Sequence, residues 1–140
     1  MPTKRSLSVW SNSPELFKSA QEDLLMDYHV SCHMPNSLKD MGKRELRQIL
    51  RSSHAVLVDL YSTDFGLIRL IRKHTEGAHI PVVALDVYAE SVVVRAILDK
   101  GFDAYLLRYC FVEELEAALA SVARGEQFIS EHIKTETLCI

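Results

Sequence analysis

Two stretches of the 140-residue chain are apolar without interruption. Ala55-Val56-Leu57-Val58 stops at Asp59, and Ile80-Pro81-Val82-Val83-Ala84-Leu85 stops at Asp86. A strand with one wet face alternates, whereas a strand covered on both faces, as in a parallel sheet, does not. Pro81 opens its run, where a missing N–H is tolerated. Weaker strand patterns occupy 6–10 (Ser-Leu-Ser-Val-Trp), 28–33 (with Tyr28, Val30 and Cys32) and 103–107 (Asp-Ala-Tyr-Leu-Leu).

Helical spacing fills the intervals. Residues 14–26 carry Leu16, Phe17, Ala20, Leu24 and Leu25, with Ser13 as a cap and Pro14 in the first turn. Residues 43–51 carry Leu46, Ile49 and Leu50, and residues 65–74 carry Leu67, Ile68, Leu70 and Ile71. Residues 89–99 carry Val93, Ala96 and Ile97 and stop before Gly101. Residues 112–124 carry Leu115, Leu119 and Val122 and stop at Gly125. Glu113, Glu114 and Glu116 near the start of that last helix suit its dipole. The order is strand then helix, five times over. Such an order predicts an α/β domain with a parallel sheet between two helical layers. Ligands in such sheets sit beyond the carboxyl ends of the strands. Here those ends are Trp10-Ser11-Asn12, Asp59, Asp86 and Arg108.

Composition narrows this further. Apolar residues make up 48% and charged residues 25%, which excludes a disordered chain. The net charge of −3 announces no nucleic-acid partner. Cys32, Cys110 and Cys139 are scattered and odd in number, so neither a disulfide framework nor a zinc cluster is indicated. A reduced, cytoplasmic setting fits, and no apolar run is long enough to span a membrane.

Several segments together resemble the receiver domains of bacterial two-component response regulators. They are closest to the CheY-like receivers that precede a helix-turn-helix output in the LuxR/NarL-type subfamily. The resemblance is carried by Ala55-Val-Leu-Val-Asp59-Leu, Ile80-Pro-Val-Val-Ala-Leu85, Arg95-Ala-Ile-Leu-Asp-Lys-Gly101 and Tyr105-Leu-Leu-Arg108. Glu113-Glu114-Leu115 and Gly125-Glu-Gln-Phe-Ile-Ser130 extend it. It implies a three-layer flavodoxin-like (βα)5 fold with strand order 2-1-3-4-5. It also implies phosphoryl transfer to an aspartate, with Mg²⁺ held by that aspartate and an acidic pair after the first strand.

Asp59 matches the phosphoacceptor. The other positions depart from the family. Ser11 and Asn12 stand where the acidic pair belongs, and Asp86 replaces the Ser or Thr that receives the phosphate. Arg108 replaces the Lys, keeping the charge on a planar fork. The loop after Asp59 is one residue short and lacks the usual proline. These departures predict a degenerate, atypical site in which Arg108 offsets the like charges of Asp59 and Asp86. Asp86 is alternatively a helix N-cap. No cofactor is expected; the residual metal site is Asp59 with Asp86 and water holding Mg²⁺ weakly.

Tyr105 matches the family's switch aromatic. Val92 and Val94 flank the predicted apolar face of the helix at 89–99, and with Tyr105 they form a candidate interaction surface. The family commonly dimerises there, through the fourth helix, fifth strand and fifth helix. Lys39, Lys43, Arg47 and Arg51 recur every four residues and read as a solvated stripe. His29, Cys32 and His33 lack a fourth metal ligand. The expected organisation is a receiver-like domain over 1–125 and a tail or linker over 126–140, with no effector domain. The expected function is non-enzymatic: a stand-alone, phosphorylation-independent receiver in signal transduction, acting on a protein partner or as a homodimer, without membrane or direct nucleic-acid binding. The alternative is a conventional Asp59-phosphorylated receiver, served by a histidine kinase, of a transcriptional regulator whose DNA-binding domain is absent from this chain.

Overall fold

The computed structural model describes residues 5–18, 27–34 and 41–133. Its strands are β1 (Arg5–Trp10), β2 (Tyr28–His33), β3 (Ala55–Asp59), β4 (Val82–Asp86), β5 (Ala104–Leu107) and the short β6 (Phe128–Ile129). Its helices are α1 (Lys43–Arg51), α2 (Phe65–Gly77), α3 (Ser91–Leu98) and α4 (Val112–Ala123), and a 3-10 turn covers Pro14–Phe17. The rest of the first expected helix, 19–26, lies outside the described residues.

All the strands pair in parallel, in the order β2-β1-β3-β4-β5-β6. The first uninterrupted apolar run becomes the central β3, and the second becomes β4 from Val82 on, with Ile80 and Pro81 ahead of the strand; the residues of both strands are all buried. Alternation then sorts their side chains to opposite faces. Leu57, Val83, Leu85 and Leu106 pack towards Phe17, Phe111, Leu115 and Leu119. Val56, Val58, Ala84 and Leu107 pack towards Leu46, Leu50, Leu67, Ile71, Val94 and Leu98. Each such side chain contributes about 1.5–3 kcal/mol by leaving water. Gly101 follows α3 with φ +104°, in the region that only glycine enters freely, and a Cβ there would lie 2.7 Å from the Arg72 guanidinium.

Three local expectations need correction. The inward face of α3 is Val94 and Leu98, with Ile97 packed partly buried beside them, and not Val93 and Ala96; Val94 is therefore core, whereas Val92 stays exposed. The run Val92-Val93-Val94 wraps more than half the helix, so periodicity alone could not choose its buried edge. Tyr105 is fully buried, because its β5 position points between the sheet and the helices. The sheet has a sixth strand beyond the expected five: Phe128 pairs with Ala104 and Ile129 with Tyr105. The expected start of a tail at 126 thus falls just before a segment that still pairs with the sheet. Leu138 and Ile140 lie outside the described residues.

Candidate functional site

The carboxyl ends of β1, β3 and β5 bring Ser11, Asp59 and Arg108 into one pocket. The Asp59 side chain is fully buried, whereas Arg108 keeps 19% of its own exposed. This chain's own donors gather on the Asp59 carboxylate, most of them on Oδ2. Ser11 Oγ and Ser62 Oγ each donate to Oδ2 at 2.8 Å. Arg108 Nε donates at 3.1 Å to Oδ2 and 3.2 Å to Oδ1. A second guanidinium nitrogen donates to Ser13 Oγ at 2.9 Å, and the guanidinium carbon stands 4.8 Å from the Tyr61 ring centroid. Charge-assisted bonds of this kind are about twice as strong as neutral ones.

Asn12 closes the neighbouring side. Its backbone N–H donates to Ser62 Oγ at 3.0 Å and its side-chain amide to the Ser62 carbonyl at 2.5 Å. Asn12 Oδ1 is buried with no hydrogen-bond partner among the described groups. The backbone folds Ser62 inward because the Ser62 and Thr63 N–H groups both return to the Asp59 carbonyl, at 3.3 and 3.1 Å. Asp64 then starts α2, accepting from the N–H groups of Gly66 and Leu67 at 3.0 and 3.3 Å.

Asp86 stands apart from this network. Its Oδ1 accepts the Val87 N–H at 2.8 Å, and no ion pair joins it to Arg108 among the described residues. The expected sharing of Arg108 between two aspartates is corrected: the direct bonds go to Asp59 and Ser13. Arg108 reaches Asp86 only through backbone, where its N–H donates to the Asp86 carbonyl at 2.8 Å, and at longer electrostatic range. Burial pushes the Asp86 carboxyl up and the Asp59 charge adds to this, while the Val87 N–H and the Arg108 charge oppose it. Nor does Asp86 cap a helix, since α3 begins at Ser91 behind Glu90. Ser13, expected as a cap, makes no capping bond and instead receives Arg108.

Tyr105 donates its hydroxyl to the Tyr88 carbonyl at 2.7 Å. Burial holds that phenol far above its usual range, with Asp86 adding to the effect. The His29, Cys32 and His33 group does not converge as a cluster of metal donors among the described residues. His33 instead stacks on Trp10, with ring centroids 4.6 Å apart, and its Nε2 lies 3.1 Å from Ser31 Oγ. Arg47 and Arg51 of the basic stripe remain exposed and lie near His74 of α2, where their charges add to burial in pushing the imidazole down. Lys39 lies outside the described residues.

This topology, with an aspartate at the end of its central β3, is the fold of response-regulator receiver domains. Among solved structures, the non-phosphorylated receiver domain of the stress response regulator RcsB from Escherichia coli is 18% identical, with 92% of this chain and 100% of that chain covered and a TM-score of 0.73. A LuxR-family two-component response regulator from Aurantimonas sp. is 15% identical, with 94% and 93% covered and a TM-score of 0.71. The response regulator RcsB in a DNA complex is 17% identical, with 94% of this chain and 66% of that chain covered and a TM-score of 0.73. At these identities the likeness establishes the fold. No protein-family model matches the chain, and no curated protein matches its sequence.

The Mg²⁺ that the resemblance implies does not fit these residues. The ion needs several oxygen ligands with negative charge among them. Asp59 is already ion-paired with Arg108, Ser11 is a neutral hydroxyl, and Asn12 offers one neutral amide oxygen. A guanidinium already occupies one side of the Asp59 carboxylate, and Asp86, the other expected ligand, stands apart with its Oδ1 on the Val87 N–H.

Sequence reasoning missed Ser13, Ser62 and Tyr61. The signal for Ser62 was the short, hydroxyl-bearing loop itself, Tyr61-Ser62-Thr63, three residues of which two can turn a hydroxyl back to Asp59.

Proposed function

We propose that this chain is a receiver-type signalling module that works without phosphorylation, catalyses no turnover and acts through contacts with other proteins in the cytoplasm. The observation that carries this reading is the saturation of Asp59 Oδ2 by Ser11, Ser62 and Arg108. A phosphoacceptor carboxylate must present a lone pair to phosphorus, with cations arranged around the phosphoryl oxygens. Here the cation sits on the carboxylate itself, and Asp86 adds a like charge where an incoming phosphate would bind. Tyr105, bonded inside the fold, supports a single fixed arrangement rather than a switch.

The contact surface shifts from the expected Val92, Val94 and Tyr105 to residues around the same end of the sheet. Val92, Tyr88 and Val87 are exposed by 65%, 49% and 37%, at and just before the start of α3. Tyr109, exposed by 71%, follows β5. Apolar groups gathered on one side of a small domain mark a contact site, and a homodimer or a heterologous protein would both use it.

Incubation with acetyl phosphate and Mg²⁺, followed by intact-mass spectrometry, tests the reading. The expected result is no phosphoryl adduct. An adduct removed by Asp59→Asn overturns it and favours a conventional receiver served by a histidine kinase.

A further inference from the structure

Away from the Asp59 pocket, three unlike donors converge at the start of α4. Cys110 lies in the turn after β5, Glu114 in the first turns of α4, and His132 in the segment that follows β6. The Cys110 Sγ, a Glu114 carboxylate oxygen and a His132 ring nitrogen all lie within 4.8 Å of one another. Residues more than twenty positions apart in sequence reach this point only because β6 pairs with β5.

Glu114 is the anchor. It is only 8% exposed, and no lysine or arginine pairs with it among the described residues. Ser130 Oγ donates to its Oε1 at 2.5 Å, and the Glu131 N–H donates to its Oε2 at 3.0 Å. Two hydrogen bonds leave about two further lone-pair sites on a carboxylate. A buried carboxylate lacking a cation is costly. The same Ser130 hydroxyl accepts the His132 N–H at 3.2 Å, and the Ser130 N–H is fixed on the Tyr105 carbonyl at 2.9 Å. One serine thus orients both the carboxylate and the backbone that carries the imidazole. Outer hydrogen bonds of this kind are how metal sites aim their ligands.

We propose that Cys110, Glu114 and His132 form a site for a borderline-soft divalent metal ion, Zn²⁺ above all, with the fourth position open to water. A sulfur, a nitrogen and a carboxylate oxygen are the donor set of Zn²⁺ and not of Mg²⁺. Ligand atoms around tetrahedral Zn²⁺ stand roughly 3.5 Å apart, given bond lengths of about 2.0–2.3 Å. The exposed His132 ring supplies the small closing movement. Binding forms a Zn–S bond and releases the Cys110 thiol proton to water. The ion staples the segment 130–133 onto α4, and with it Ile133, which packs against the core on the α3 side. This site stands independently of the reading of Asp59.

Titration of the metal-free full chain with Co²⁺ tests it. One equivalent is expected to give a thiolate-to-cobalt charge-transfer band and the intense d–d bands of a four-coordinate site, both abolished by Zn²⁺. His132→Ala, an exposed change the fold tolerates, and Cys110→Ser are expected to lose the charge-transfer band. Cys32→Ser and Cys139→Ser are expected to keep it. Ser130→Ala is expected to weaken binding tenfold or more. No charge-transfer band in the wild-type protein overturns the proposal, as does a band that survives Cys110→Ser or His132→Ala.

Discussion

Arg108 Nε lies 3.1 Å from Asp59 Oδ2, reaching from the carboxyl end of β5 across β4 to that of β3. One partner is wholly buried and the other keeps an edge in solvent, so the two are unequal when either is lost. Removing Arg108 strands a buried carboxylate; removing the Asp59 charge leaves a guanidinium that can still reach water.

Arg108→Ala is therefore expected to destabilise the protein by about 3 kcal/mol, the lower end for a broken buried pair. Asp59→Asn is expected to cost less, about 1–2 kcal/mol, because the amide oxygen still accepts from Ser11 and Ser62. Urea unfolding of both variants checks the order.

Phosphorylation of Asp59 is expected only when several residues of the receiver pattern are introduced together. Arg108→Lys alone leaves Ser11 and Asn12 uncharged and Asp86 in place. The combination of Ser11→Asp, Asn12→Asp, Asp86→Thr and Arg108→Lys supplies two metal carboxylates, a hydroxyl and a compact cation. Acetyl phosphate labelling of Asp59 is expected in that variant and not in Arg108→Lys, by intact-mass spectrometry.

Asp86 makes stability depend on pH. Burial raises its carboxyl above the unfolded value of 3.8. The folded state then holds the proton more tightly than the unfolded one, so stability falls as pH rises through the interval above 3.8. Asp86→Asn keeps an oxygen for the Val87 N–H and removes the buried charge. It is expected to be more stable than wild type at pH 7, with the difference shrinking as the solution is acidified through the carboxyl range. Urea unfolding across that range decides this.

Tyr105→Phe deletes the 2.7 Å bond to the Tyr88 carbonyl and keeps the ring. A loss of about 1 kcal/mol is expected, with faster amide exchange confined to the loop before α3. Exchange that speeds up across β5 as well would show that the hydroxyl holds the whole strand.

Self-association through the apolar rim is expected to fall in Val92→Asp with little change in unfolding midpoint, since Val92 is 65% exposed. Sedimentation velocity of wild type and variant gives the comparison. An unchanged dimer fraction would remove Val92 from the interface.

Much of the fold was legible because local pattern and global architecture agree. The runs 55–58 and 80–85 suit strands covered on both faces, and the strands they hold, 55–59 and 82–86, each end at the aspartate that closes the run. Gly101 and Gly125 stopped α3 and α4 where expected, with φ of +104° and +80°. The site was half legible. Ser11, Asn12, Asp59 and Arg108 lie together, as strand ends in a parallel sheet converge. Ser13 and Ser62 were not, because hydroxyls in short loops have no periodicity and their direction follows from the turn around them.

By itself, then, the sequence determined the five main strands, the carboxyl ends at which Ser11, Asp59, Asp86 and Arg108 stand, and the charge each of those residues carries. Only the tertiary structure decided that Arg108 bonds to Asp59 rather than Asp86, that Val94 and Tyr105 turn inward, and that His132 comes to lie beside Cys110. The reason is physical: hydrophobic period and residue type are local quantities, carried by the chain itself. The partner of a charge depends on angstrom-scale distances between strands, and those exist only once the sheet has closed.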